Sequence, residues 1–219
     1  MNTRPRFDAE LQHLKDKLLE MVTMSKHAMD EAIDALKTQN LEKADEIIKN
    51  DLTINELERE INELVIGIIT KQQPVASDLR RIMVAAKISS DIERIGDLAV
   101  NIAKSTKFIG TEPLIKPIEQ LPQMAAITQQ MLSDALDAFN KEDTVAAHRI
   151  AKTDDEVDNM FGEIVQELMG LMAEKPQSIN QITQLTFICR YIERAGDHVT
   201  NIAENILYIV KGERVDLNF

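Results

Sequence analysis

Two stretches of this chain lying 100 residues apart repeat one another: KISSDIERIGDLAVNIAK at 87–104 and FICRYIERAGDHVTNIAE at 187–204 are identical at 9 of 18 positions. Glu93, Arg94, Gly96, Asp97 and Asn101 recur as Glu193, Arg194, Gly196, Asp197 and Asn201 within the same frame of isoleucines. Upstream the distance becomes 103 residues, pairing Asp34 with Asp137, Asp51 with Asp154 and Glu60 with Glu163, and a three-residue deletion near Pro74/Pro176 accounts for the change. Each copy must build the same local structure, so the repeat limits the fold more than any single motif does. The chain reads as one unit made twice, over 1–109 and 123–219, with a proline-rich linker at 110–122.

The unit is helical. Only 7 Gly and 6 Pro occur in 219 residues, about half the usual share, and they cluster, leaving runs of about 30 residues without proline. Six segments result, at 6–38, 42–72, 75–108, 118–140, 143–173 and 178–211. Apolar residues recur in them at alternating intervals of four and three, as in Ile54, Leu57, Ile61, Leu64 and Ile68, and in Ile88, Ile92, Ile95, Ala99 and Ile102. That spacing is the seam of nearly parallel helices in a bundle, and no comparable β-alternation is present. The expected fold is all-α, two tandem three-helix bundles. With 44% hydrophobic residues the chain has material for a core.

Charge and hydropathy narrow the function classes. A net charge of −12 leaves no general basic footprint for nucleic acid. The longest apolar stretch, Leu64 to Ile69, falls far short of the ~20 residues of a membrane-spanning helix. Residues Met1 to Asp8 hold no apolar signal core, and Cys189 is the only cysteine, so a soluble intracellular protein without disulfides is expected.

The repeated motif carries the chemistry. On a helix Glu93, Asp97 and Asn101 stack one turn apart on one face, as do Glu193, Asp197 and Asn201. Adjacent carboxylates repel, and something cationic should compensate. The second helix of each unit adds a polar pair beside its own seam, Asp51 and Asn55 in the first half and Asp154 and Asp158 in the second. Side-by-side packing would gather four oxygen-bearing side chains per half. Oxygen-only sets without His or Cys suit hard cations, and carboxylates can bridge several ions. The plainer reading of one Glu-x-x-x-Asp is a solvated face; its recurrence with Arg, Gly and Asn favours a shared structural or metal role. Arg94 and Arg194 are then expected to pair with carboxylates of a neighbouring helix, and Gly96 and Gly196 to allow close helix approach or to clear space for ions.

Other chemistry is thin. Glu10-Leu11-Gln12-His13 is a lone Glu-x-x-His and reads as a surface face. His198 reads as partly exposed, His27 and His148 have no partner pattern, and Cys189 reads as a small packed residue. Met21, Met131 and Met169 fall on helical seams and read as core. No phosphate-cradling loop, nucleophile elbow or His-Glu-x-x-His is present.

With these residues in place, the sequence resembles the PhoU family of phosphate-uptake regulators over essentially the whole chain. The carriers are QQPVASDLRRI at 72–82, ISSDIERIGDLAVNIAK at 88–104 and RYIERAGDHVTNIAENILYIVKGE at 190–213. The resemblance implies a non-enzymatic negative regulator of phosphate uptake and of the phosphate-starvation response. It implies as partners the ATPase subunit of a phosphate ABC transporter, a sensor histidine kinase and a second copy in a dimer, with peripheral placement at the membrane through partners. It also implies multinuclear metal clusters, iron first and zinc or another divalent ion next, with Asp51, Glu93 and Asp97 as ligands in the first half and Asp154, Asp158, Glu193 and Asp197 in the second. Asn55 stands where the second copy has Asp158. Its amide oxygen can coordinate but adds no charge, so asymmetric sites with a weaker first site are expected. Asn101 and Asn201 are expected to position ligands rather than to bind metal.

Overall fold

The structure is a computed structural model and describes residues 5–217. Residues 1–4 and 218–219, which the sequence reading placed at the outer ends of the two units, lie outside the described residues. Six α-helices follow one another: α1 (Pro5–Thr38), α2 (Leu41–Gln72), α3 (Ala76–Ile109), α4 (Gln120–Lys141), α5 (Thr144–Glu174) and α6 (Ile179–Lys211). Among the described residues there is no strand, and the protein is all-α with two tandem three-helix bundles. The predicted segments match these helices to within two residues at each end.

The repeat is visible in the turns. Asn40 caps α2 by accepting a hydrogen bond from the Lys43 amide (3.0 Å), and Asp143, its counterpart, caps α5 by accepting from the Val145 and Ala146 amides (2.9 and 3.0 Å). The residue before each cap, Gln39 or Glu142, takes a left-handed conformation (φ 51° and 53°) that lets the chain reverse after α1 and after α4.

Within each bundle every helix packs on the other two. Leu14, Leu18, Met21, Ile61, Ile82, Ile88, Ile92 and Ile102 are fully buried in the first, and Met124, Met131, Ile182, Ile188, Ile192 and Ile206 in the second. Truncating any of these to Ala is a change in the class that costs roughly 2–5 kcal/mol. Met21 and Met131 are core as expected, whereas Met169 is 54% exposed, because it falls one position off the Ile164–Leu168 seam.

The bundles meet through α3 and α6, with α1 and α4 also in contact. The junction is antiparallel: Arg80 donates to the Ile209 carbonyl (3.4 Å), and His198 Nδ1 lies 3.0 Å from Asp91 Oδ1. Behind it, Lys26 donates to Ser133 and Gln129 to Asp30 (2.6 and 2.9 Å). Arg81 spans the bundles with two hydrogen bonds to Glu142 (2.5 and 3.2 Å). Between Ile109 and Gln120 the chain is held by side chains: Gln181 accepts from the Ile115 amide and donates to the Pro113 carbonyl, and Gln39 donates to the Gly110 and Glu112 carbonyls. No helix of the described residues is long and apolar enough to cross a membrane.

Candidate metal centres

Packing of α2 on α3 and of α5 on α6 brings the two acidic motifs of each half onto one groove. In the first half Asp51 accepts from the Asn55 amide (3.4 Å), and the charge of Asp97 acts on both Asp51 and Glu93. In the second, Asp154 is 6% exposed and accepts from the Thr200 hydroxyl (2.7 Å), while Glu193 is 7% exposed. One of the two repeated glycines has a clear physical cause. A Cβ on Gly196 would stand 2.5 Å from Asp154 Oδ1, so only glycine leaves room for that carboxylate against α6. At Gly96 the nearest neighbour is instead the Ile54 side chain, 3.0 Å from a built Cβ.

Four buried side-chain oxygens have no hydrogen-bond partner among the described residues: Asp51 Oδ1, Asn55 Oδ1, Asp154 Oδ1 and Glu193 Oε2. All four belong to the predicted ligand set. An unpartnered buried acceptor costs about 1–3 kcal/mol, and oxygens of this kind fit a hard cation. The residues present therefore match the chemistry of the implied metal. The side chains do not converge tightly, and among the described residues no three His, Cys, Asp or Glu groups close around one point.

The matching family model is the PhoU domain, and it matches twice, at residues 18–106 and 121–206. The chain belongs to the PhoU family. It is 38% identical over 217 residues to the phosphate-specific transport system accessory protein PhoU homolog of Clostridium acetobutylicum, covering 99% of each chain. It is 38% identical over 211 residues to PhoU of Escherichia coli, covering 95% of this chain and 86% of that one. Among solved structures, the phosphate transport system regulatory protein PhoU from Streptococcus pneumoniae superposes with a TM-score of 0.90 at 32% identity, covering 96% of this chain and all of that one. PhoU from Pseudomonas aeruginosa gives 0.88 at 32% identity over 95% of this chain.

In this PhoU chain five of the groove carboxylates resist ionisation. Burial, reinforced by Asp97, raises Asp51 and Glu93 above the ordinary carboxylate range. Burial pushes Asp154 up to about 6 against the opposing Thr200 hydrogen bond, and burial with the charge of Asp197 pushes Glu193 up to about 7. Asp158 is raised by burial and then by Asp197.

The compensating cations differ from expectation. Arg94 pairs within its own helix, with Asp97 at 3.2 Å and Glu93 at 3.6 Å, and is 59% exposed. In the second half the role passes to Arg190, one turn before Glu193, rather than to Arg194. One of the expected asparagines lies elsewhere: Asn201 donates to Asp91 of α3 (3.4 Å) and so faces the bundle junction, not the acidic groove. His198 is partly exposed as expected, but it has a partner in Asp91. Cys189 is buried beside Met124, with burial pushing its thiol up to about 12, which suits packing rather than nucleophilic work.

Glu58, Asp155 and Thr200 escaped the sequence reading. Glu58, whose charge acts on Glu93, lies two turns beyond Asp51 on the same face, and that spacing was available to find it. Asp155 adjoins a motif residue and acts on Asp154 and Asp158. Thr200 carries no signal until α5 is placed against α6.

Proposed function

We propose that this protein restrains phosphate uptake and the phosphate-starvation response when phosphate is plentiful, relaying the state of a phosphate ABC transporter to a sensor histidine kinase. Two PhoU domains spanning most of the chain, and relatives named as accessory proteins of phosphate-specific transport, support that reading. On this reading the protein works by binding partners rather than by catalysis, as the relatives named as accessory proteins of phosphate-specific transport suggest. We further propose that Asp51, Asn55, Glu93 and Asp97, and Asp154, Asp158, Glu193 and Asp197, hold metal, iron first or another hard or divalent cation.

The single observation that carries the metal proposal is that the unpartnered buried oxygens fall only on these residues among those described. The metal, when bound, supplies positive charge. The chain's part is to hold acceptors in place: Thr200 fixes one oxygen of Asp154 and leaves the other, and Gly196 keeps that oxygen's space clear. A second reading, a metal-independent helical adaptor for the transporter ATPase and the kinase, is favoured by the absence of three closely convergent ligands among the described residues. Dimerisation and attachment to the inner membrane through partners belong to both readings.

The test is complementation in Escherichia coli lacking its own PhoU, with alkaline phosphatase read in phosphate-rich medium. The chain should restore low phosphatase, and Asp154→Ala/Glu193→Ala should lose that repression. Full repression by the folded double variant would favour the metal-independent adaptor.

A further inference from the structure

The two acidic grooves, alike in their repeated carboxylates, differ at two positions that face one another in the second half. Arg190 and Phe161 stand there, and their counterparts in the first half are Ser90 and Glu58. The Arg190 guanidinium lies 5.5 Å from the centre of the Phe161 ring and bonds Glu193 Oε1 at 2.5 Å. It therefore holds one oxygen of a carboxylate that is otherwise 90% buried, while Oε2 of the same group stays unpartnered. The first half has no such arrangement. Arg94 there is more exposed and screened, with its closest carboxylate contact at 3.2 Å, and Glu58 adds a charge where the second half has a ring.

We propose that Arg190 is a built-in counter-cation of the second acidic groove, a latch that competes with metal for Glu193 and swings free of it when metal binds. The proposal rests on the metal reading of that groove. An arginine stacked on an aromatic face is held in one place, so its pairing with Glu193 costs little ordering entropy and persists where an exposed pair would not. A cation that takes both oxygens of Glu193 must first separate the two, because Oε1 faces Arg190 and cannot serve both fully. Metal entry thereby presents a free guanidinium at the mouth of the groove, a change of surface charge that a partner can read. The first groove, with Ser90 and Glu58 in these places, has no latch and fills at lower metal concentration. This reverses the order expected from Asn55 alone.

The experiment uses the full chain with the first groove silenced by Glu93→Ala/Asp97→Ala, titrated with zinc ions by calorimetry, beside the same protein carrying Arg190→Ala. Removing the latch should tighten zinc binding in the second groove by about fivefold, the scale of one part-buried ion pair with its stack. Arg190→Lys, which keeps the charge without the planar stack, should fall between. In the unaltered chain, phenylglyoxal labelling of Arg190, read by mass spectrometry, should rise when zinc is added and return with a chelator. Zinc binding with neither a change in affinity on Arg190→Ala nor a change in labelling overturns the latch while leaving the metal reading intact. An unaltered chain that binds neither zinc nor iron overturns both.

Discussion

Asp154 Oδ1 and Gly196 share a space that a single methyl group would fill: a Cβ at residue 196 would lie 2.5 Å from that oxygen. In mid-helix, glycine is about 1 kcal/mol worse than alanine, so Gly→Ala there stabilises wherever space allows. Gly196→Ala should instead destabilise, by about 1–2 kcal/mol net, because Asp154 must leave its hydrogen bond to Thr200. Gly96→Ala meets the Ile54 side chain at 3.0 and 3.4 Å and the Ser25 hydroxyl at 3.5 Å, and should be near neutral, the helix gain offsetting these contacts. Thermal melts of the two variants check the contrast. Equal melting temperatures would remove the special role of Gly196.

The metal-free protein should lose stability as pH rises. Asp154 and Glu193 have folded-state pKa values of about 6 and about 7, above their ordinary 3.8 and 4.5. The folded state therefore binds more protons than the unfolded one across that window, and stability falls as pH climbs from about 4 to about 7. The loss is on the order of 2–3 kcal/mol per group, less than additive because the carboxylates interact. Asp154→Asn/Glu193→Gln should flatten this dependence and raise the melting temperature of metal-free protein at pH 7. Denaturation at a series of pH values in the presence of a chelator measures it, and a parallel dependence in the double variant would contradict the assignment.

How much of this was legible in the sequence follows from where each signal resides. Helix number and extent were legible because the 3.6-residue seams are long and the breakers few. The repeat then placed Asp51 near Asp97 and Asp154 near Asp197 without coordinates. Contacts between elements were not legible. Arg190 replaced Arg194 as counter-cation because the choice depends on Phe161, which lies on another helix. Asn201 shares the spacing of Asp197 yet turns to Asp91, because α3 of the other bundle, invisible to a reading of one unit, lies against that side of α6. Met169 sat at a plausible interval, but it lies beyond the edge of the buried stripe.

The bridge between the bundles should respond to pH in the opposite sense. Arg81 holds the Glu142 carboxyl below its ordinary 4.5. That stability is present above the unfolded value and is lost as pH falls through the lowered folded one. Glu142→Gln should cost about 1 kcal/mol near neutral pH, where its partly exposed position limits the effect, and nothing in strong acid. Guanidinium chloride midpoints would show the cost only weakly, since the salt screens the pair, so urea is the denaturant to use.

We propose that each half of this PhoU protein holds metal on its own set of oxygen ligands. The measurement is metal content by inductively coupled plasma mass spectrometry on untagged protein, with Glu93→Ala/Asp97→Ala and Glu193→Ala/Asp197→Ala run beside it. Bound metal is expected in the unaltered chain, with a partial, separate loss in each variant. Unaltered protein without metal, or variants that keep all of it while folded, would contradict it.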